Sequence, residues 1–183
     1  MNIMVIGAHP DDCEFFAAGT AVKFLRNGHK VKFVSVSNGD AGHQSMKRAD
    51  LARRRHAEVK QADATLGVDF EILDCHDGEI VPSLEIREQL IRQIRSFRAD
   101  MVLSHRPNDY HPDHRNTGIL VQDTAYLVIV PNVCDDTPAL EKNPIYMYLQ
   151  DDFKSPAPFR PDIIVPIDDT FDKKVESLHL MPS

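Results

Sequence analysis

The sequence has few cysteines and no surplus of positive charge, and both shortages narrow the kind of protein it encodes. The three cysteines, Cys13, Cys75 and Cys134, are an odd number at wide spacings. We therefore expect no disulfide framework, and a reducing cytoplasm is the expected compartment. The net charge is -7. Nucleic-acid binding is not expected, because such surfaces need an excess of lysine and arginine.

Long apolar runs are also missing. No stretch approaches the roughly 18 apolar residues of a membrane span. The N-terminal "MNIMVIGAHP" has no basic region before its short apolar run, so we do not expect a secretory signal. With 183 residues, of which 42% are hydrophobic, the chain can bury a core without disulfides or metals to hold it. We therefore predict a soluble, cytoplasmic protein with a single domain over residues 1–183.

Short apolar runs alternate with amphipathic segments along most of the chain. Strands are predicted at 2–6, 30–36, 70–73 and 100–105, and helices at 14–27, 47–66, 83–97 and after His114. This alternation is typical of an α/β fold with a mostly parallel sheet and helices on both faces. From Pro131 onward, prolines crowd the sequence between short runs such as "IYMYL" and "DIIVPI". We predict a loop-rich C-terminal β extension on the same core, followed by the opening of one more helix.

The segment "GAHPDDCEF" follows the first predicted strand, where open α/β sheets bind their ligands. A dinucleotide-binding turn needs a second glycine where His9 stands, and Pro10 removes a backbone donor. One aspartate could cap the next helix, but a cap does not explain both Asp11 and Asp12 beside a histidine. His9 and Asp12 can converge on one cation, and an imidazole with a carboxylate suits Zn²⁺ or a similar metal.

A second polar cluster, "SHRPNDYHPDHRN", follows the fourth predicted strand. Within ten residues it holds His105, Asp109, Tyr110, His111, Asp113 and His114. Because both clusters follow strands, we expect them at the same edge of the sheet. A polar loop and a helix capped by Asp113 would explain one histidine. Two histidines three residues apart, beside a matching carboxylate–histidine loop, favour a metal site.

Taken together, "AHPDDCE" and "YHPDH" resemble the LmbE-like/PIG-L family of zinc-dependent N-deacetylases. The segments "SNGDAG", "HDGEI" and "VPIDDTFDKKVESL" also resemble it, so the resemblance spans most of the chain. It implies a Rossmann-like α/β fold and removal of the acetyl group from an N-acetylglucosamine-type sugar conjugate. Family members usually continue past the point that matches Leu178. We therefore expect this chain to lack a C-terminal element.

The resemblance also implies roles for individual residues. The implied metal ligands are His9, Asp12 and His114. Asp11 is then free to act as the general base on metal-activated water. His111 would stabilise the oxyanion as an imidazolium, with Asp113 orienting that ring and raising its pKa. Zn²⁺ is the expected cofactor, and the ligand set also tolerates Fe²⁺.

Contacts to the substrate are predicted for Arg55, Asp77 and Tyr110. The alternatives are that Arg55 is an exposed helical arginine paired with Glu58, and that Asp77 only forms a turn. Two other functions stay open: a non-catalytic sugar- or nucleotide-binding protein of the same fold, and an amidase that acts on a larger conjugate. The proline-rich stretch 131–161 is a candidate lid or contact in a homo-oligomer.

Overall fold

Five strands form one fully parallel sheet in the computed structural model, which describes residues 1–183. The strands are β1 (Asn2–Gly7), β2 (Lys30–Ser37), β3 (Asp69–Cys75), β4 (Met101–Ser104) and β5 (Ile145–Tyr148). Their order is β3-β2-β1-β4-β5, so the direction of winding reverses between β1 and β4. Folds of this kind bind ligands in the crevice at that reversal, beyond the carboxyl ends of the strands.

Helices cover both faces of the sheet, which confirms the predicted Rossmann-like α/β class. They are α1 (Asp12–Arg26), α2 (Arg48–Leu66), α3 (Leu84–Phe97), α4 (Pro112–Thr124) and α5 (Phe171–His179), with a short 3₁₀ turn at Leu127–Ile129. Successive residues of β1 enter different cores, since side chains alternate along a strand. Ile3 packs with α1 residues such as Ala18, whereas Met4 packs with α3 and α4 residues such as Leu90 and Leu120. No helix combines the length and the apolar character that crossing a membrane requires.

Most predicted helix boundaries lie within two residues of those observed, because their end signals are local. Gly67 ends α2 in the left-handed conformation (φ 80°), and Ser83 Oγ caps α3 by accepting from Ile86 N at 3.3 Å. The helix predicted after His114 instead begins at Pro112. His111 is its cap, and proline is favoured in the first turn because it has no N–H to leave unpaired.

The C-terminal third is mainly loop. "IYMYL" supplies β5 at the sheet edge, but "DIIVPI" forms no strand, and Ile163 and Ile164 are 65% and 79% exposed. The extension thus adds one strand to the predicted parallel sheet.

The loop after α4 is anchored by Arg95, a buried residue of α3. Its guanidinium donates to six backbone carbonyls between positions 127 and 137.

Candidate metal and catalytic site

The two polar clusters meet at the carboxyl ends of β1 and β4. These strands are neighbours, with Ile6 paired to Ser104, so the segments that follow them emerge side by side. Ligand atoms of His9, Asp12 and His114 lie within 4.8 Å of one another. Parallel pairing of two strands has therefore brought together side chains that are far apart in sequence.

Asp12 is the buried centre of this cluster. Its Oδ2 accepts backbone N–H groups of Ala8 (2.9 Å) and His9 (2.8 Å), and its Oδ1 lies 3.4 Å from His114 Nε2. Burial alone would raise the pKa of Asp12, but hydrogen bonds from His105, His114 and His9 hold it well below its usual range. Asp12 is thus an ionised carboxylate held by donors from the segment after β1 and by His114 of α4.

The donor set fits a borderline divalent cation such as Zn²⁺. Two imidazoles and one carboxylate supply three ligands, as in catalytic zinc sites, which keep a further position open. Carboxylates surround the cluster and favour positive charge within it. Burial lowers the pKa of His9, but hydrogen bonds and charge from Asp12 and Asp77 outweigh burial and raise that pKa to about 10. A site that favours a proton so strongly on an imidazole also favours a bound cation.

Each of the two histidines turns one ring nitrogen toward Asp12 and the other toward another carboxylate. His9 Nδ1 lies 3.5 Å from Asp12, and its Nε2 lies 3.1 Å from Asp113 Oδ2 and 3.4 Å from Asp77 Oδ1. His114 Nε2 faces Asp12, and its Nδ1 lies 3.3 Å from Asp109 Oδ2. The two imidazoles are therefore oriented from both sides.

Asp11 differs from Asp12 in its backbone conformation, in its hydrogen bonds and in the pKa of its carboxyl group. It stands at the N-cap of α1 with φ 150°, yet its side chain caps nothing and makes no hydrogen bond. Such strained backbone is concentrated at functional positions. Burial, together with the charge of Asp12, raises the pKa of Asp11 to about 6. Its carboxylate is free to take a proton near neutral pH.

His111 and Asp113 do not form the predicted pair. His111 Nδ1 accepts the backbone N–H of Asp113 at 3.2 Å, as the cap of α4. The Asp113 carboxylate instead accepts from Gly78 N (2.7 Å) and Ile80 N (3.3 Å) and faces His9. Burial and the neighbouring His9 and His114 lower the pKa of His111 overall, because they outweigh the charge of Asp113, which does raise that pKa as predicted. The two side chains do not pair because the start of α4 presents the Asp113 backbone, not its side chain, to the imidazole.

Two further residues of the cluster lie against the candidate ligands without having been given a role from sequence. His105 is buried, its Nε2 lies 3.1 Å from Asp12 Oδ2, and its ring stacks on His114 at 4.1 Å. Asp109 is also buried, and its Oδ2 lies 3.3 Å from His114 Nδ1. Their position after β4 was the one indication in the sequence that they lie near the site. The spacing of the residues could not predict which side chains of this segment contact the candidate ligands.

The predicted substrate contacts surround this cluster. Arg55 is only 9% exposed, and it is Arg54 that pairs with Glu58, at 2.7 Å, so the exposed-arginine alternative does not hold. Arg55 Nη2 donates to Ser183 O at 3.2 Å, and its charge helps to lower the pKa of Asp77, after the hydrogen bond from His9. Its Nε has no partner.

Tyr110 lies at the mouth of the site. It is 71% exposed, its ring centroid is 6.4 Å from that of His111, and it also contacts Phe153. The Tyr110 hydroxyl makes no hydrogen bond within the chain.

Residues 4–125 match the family described as "PIG-L: GlcNAc-PI de-N-acetylase". The chain is 32% identical over 137 residues to the diacetylchitobiose deacetylase of Thermococcus kodakarensis, covering 72% of this chain and 51% of that protein. It is 27% identical over 140 residues to the mycothiol S-conjugate amidase of Streptomyces coelicolor, covering 62% and 48%. The chain thus spans about half the length of these curated relatives.

Solved structures share the fold. N,N'-diacetylchitobiose deacetylase from Pyrococcus horikoshii superposes with a TM-score of 0.87 at 26% identity, covering 98% of this chain and 69% of that one. GalB, the 4-carboxy-2-hydroxymuconate hydratase from Pseudomonas putida, superposes with a TM-score of 0.89 at 22% identity, covering 100% and 79%. The second likeness concerns the fold alone, and a shared fold does not fix the reaction.

Proposed function

The chain belongs to the PIG-L family of GlcNAc-PI de-N-acetylases, and from this premise we propose that it is a metal-dependent hydrolase. Its proposed reaction is removal of the N-acetyl group from an N-acetylglucosamine-type sugar conjugate. Similar proteins named as deacetylases and an amidase support this reaction class. The observation that carries the proposal is the Asp11 carboxylate, which makes no hydrogen bond and stands on a strained backbone (φ 150°) beside the cluster of three candidate ligands. We further propose that residues 1–183 act as one domain, since α5 packs on α1 and α2.

We propose that His9, Asp12 and His114 hold the metal, with Zn²⁺ the first candidate and Fe²⁺ the second. When bound, the metal supplies Lewis acidity that lowers the pKa of water and polarises the amide carbonyl. The charge and donors that fix Asp12 in place support its role as a ligand rather than as the base. That leaves Asp11 as the only carboxylate of the pair that can accept a proton.

The proposed roles in catalysis follow from what each side chain is free to do. Asp11 accepts the proton of the attacking water and is placed to return it to the leaving amine. His111 receives a backbone N–H at Nδ1, so its neutral ring carries the proton on Nε2. That N–H can donate to the developing oxyanion without the imidazolium form. Arg55, Asp77 and Tyr110 are the proposed substrate contacts around this centre.

The test compares metal content with amine release from a panel of N-acetylglucosamine conjugates. Asp11→Asn should keep its metal and lose roughly 10²–10⁴-fold in turnover, the contribution expected of a general base. His114→Ala should lose the metal. Asp172→Asn, an exposed carboxylate on α5, is the control and should match the wild type. A near-wild-type rate in Asp11→Asn, or full zinc occupancy in His114→Ala, would contradict the assignment.

A second candidate, favoured by the similarity to an amidase, is cleavage of a larger acyl group from the same kind of conjugate. The chemistry at Asp11 would be unchanged, so the two differ only in what leaves. Measuring acetate and amine separately distinguishes them: deacetylation releases the two in equal amounts, whereas amidase action yields amine without acetate. Metal binding with neither product would instead favour a non-catalytic binding protein.

A further inference from the structure

We infer that Asp113 is a positioning residue for His9, and that Asp109 has the same role for His114. Asp113 thus serves the metal site rather than the imidazole of His111. This inference rests on the proposed function only in that His9, Asp12 and His114 hold a metal.

The first argument is the geometry around His9. Its Nε2 is 3.1 Å from Asp113 Oδ2 and 3.4 Å from Asp77 Oδ1, while its Nδ1 faces Asp12 at 3.5 Å. Of the two carboxylates at Nε2, Asp113 is the nearer and the more deeply buried, and it is the one hydrogen-bonded to the ring. A carboxylate at Nε2 holds the proton on that nitrogen and leaves the Nδ1 lone pair pointing into the cluster. Metal-binding histidines almost always have such a partner, which fixes the tautomer and increases the basicity of the ligand.

The second argument is that Asp113 itself is firmly held. Its side chain is fully buried, and the backbone N–H groups of Gly78 (2.7 Å) and Ile80 (3.3 Å) donate to its two oxygens. Both donors belong to the loop between β3 and α3, where Gly78 adopts φ 82°, a conformation that favours glycine. Asp113 thereby joins α4, this loop and His9, which gives the "HDGEI" segment a structural reason to lie beside the metal site.

The third argument is what His111 uses in place of a carboxylate. Its Nδ1 is occupied by the Asp113 backbone N–H at 3.2 Å, and no carboxylate oxygen is bonded to its ring. A backbone donor fixes the tautomer as firmly as a side chain would. His111 therefore does not need the carboxylate of Asp113 for its orientation.

The arrangement recurs at the other histidine ligand. Asp109 Oδ2 lies 3.3 Å from His114 Nδ1, on the side away from Asp12, and Asp109 Oδ1 accepts His111 N at 2.9 Å. The same ring also stacks on His105. Both histidines are thus held by a buried carboxylate that is itself bonded to backbone N–H.

The experiment measures zinc affinity by competition with a chelator, without substrate. We expect Asp113→Asn and Asp109→Asn each to weaken zinc binding about 10–100-fold. Asp172→Asn, which makes the same change at an exposed carboxylate of α5, is the matched control and should bind zinc as the wild type does. Wild-type zinc affinity in Asp113→Asn would overturn the inference. Thermal unfolding of each variant identifies any that fail to fold.

Two further readouts separate a role of Asp113 toward His9 from a role toward His111, and the first of them needs no variant. In the wild-type protein loaded with zinc, nitrogen NMR of the imidazoles should show His9 protonated at Nε2 and bound through Nδ1; the reverse would overturn the inference. In the second readout, Asp113→Asn should still lower zinc affinity when it is introduced into His111→Asn. If Asp113→Asn instead lowered only the turnover of the wild type, and had no effect in the His111→Asn background, Asp113 would act through His111. Loss of zinc affinity with no amine release from any conjugate would reject the proposed reaction alone.

Discussion

At the scale of single residues, surroundings decide what each carboxyl group can do. Asp11 and Asp12 are adjacent, and the residue types alone do not show which is the base and which is the ligand. Asp12 is bonded to two backbone N–H groups and has a depressed pKa, whereas Asp11 has no hydrogen bond and a pKa raised to about 6 by burial. A proton acceptor must keep a lone pair free near its working pH, so this contrast separates the proposed base from the proposed ligand.

Asp63 is a buried carboxyl group for which the proposed mechanism has no use. It lies on α2 with a fully buried side chain; no N–H group donates to it, and its polar neighbour is the buried Glu14. Burial, followed by the charge of Glu14, raises the pKa of Asp63 to about 10. The buried pair of Asp63 and Glu14 therefore keeps a proton at neutral pH that the unfolded chain has released.

We predict that Asp63→Asn makes stability less dependent on pH. Between about pH 4 and the raised pKa, the folded state binds more protons than the unfolded state, so the free energy of unfolding falls as pH rises. Asparagine keeps the shape and can donate to Glu14 without a titrating proton. Denaturant unfolding at pH 5 and pH 8 should show the variant losing less stability than the wild type, by up to about 1.4 kcal/mol per pH unit. Asp152→Asn, an exposed control, should follow the wild type; a parallel loss in Asp63→Asn would mean that Asp63 is ionised when folded.

At the scale of elements, the approach of α4 to the segment after β4 sets the geometry of the site. Gly118 makes this approach possible, since a Cβ there would lie 2.7 Å from His105 O and 2.8 Å from Arg106 C. Both are backbone atoms and cannot rotate away. The helix that carries His111 and His114 is therefore docked through a glycine.

We predict that Gly118→Ala lowers both stability and metal affinity. The added methyl group must push α4 away from the His105 loop, at about 1–3 kcal/mol of unfolding free energy, and His114 moves with the helix. Urea unfolding and chelator competition measure the two effects. Gly28→Ala is the matched control: Gly28 has φ 77° with no atom within 4 Å of its Cβ position, so that variant should lose stability without losing zinc affinity. Unchanged zinc affinity in Gly118→Ala would show that the site does not depend on this contact.

A second element-scale prediction concerns Arg95, whose six hydrogen bonds attach the loop after α4 to α3. The lysine in Arg95→Lys has only three donors, so about half of the six carbonyls lose their partner. At about 1–3 kcal/mol for each unsatisfied group, we expect roughly 3 kcal/mol or more of destabilisation, with faster hydrogen exchange at 127–137. Arg92→Lys, whose partners Glu88 and Asp136 are partly exposed, should cost less than about 1 kcal/mol. Equal stability of the two variants would contradict the role of Arg95.

The elements that could be predicted from sequence are those specified by local signals. β1, β2 and α3 have clear periodicity and recognisable ends. The start of α4 was not predictable in this way, because its cap is a histidine imidazole that accepts Asp113 N. "DIIVPI" has the composition of a strand but no neighbour to pair with. Parallel-sheet topology predicted that the two polar clusters would meet. It could not predict that Asp113 faces His9, because that depends on donors supplied by Gly78 and Ile80 from a third loop.

At the scale of the whole molecule, the candidate metal site connects segments from both halves of the sheet. His9 and Asp12 follow β1 and begin α1, whereas His114 belongs to α4, which follows β4. The Asp113 carboxylate adds the loop after β3. A cation held by the three ligands would therefore resist separation of β1 from β4, the strands between which the winding reverses, and should stabilise the entire fold.

We therefore predict that zinc raises the melting temperature of the wild-type protein. A ligand present at 100 times its Kd, and bound only by the folded state, stabilises by about 2.7 kcal/mol. For a chain of this length, each kcal/mol corresponds to about 2–4 °C, so the shift should be roughly 5–10 °C and should disappear when chelator is added. His114→Ala removes one ligand and leaves the three cysteines and the other histidines in place, so it should show little or no shift. An equal shift in that variant would mean that zinc stabilises the protein from another site, whereas a shift confined to the wild type would connect the three ligands directly to the stability of the fold.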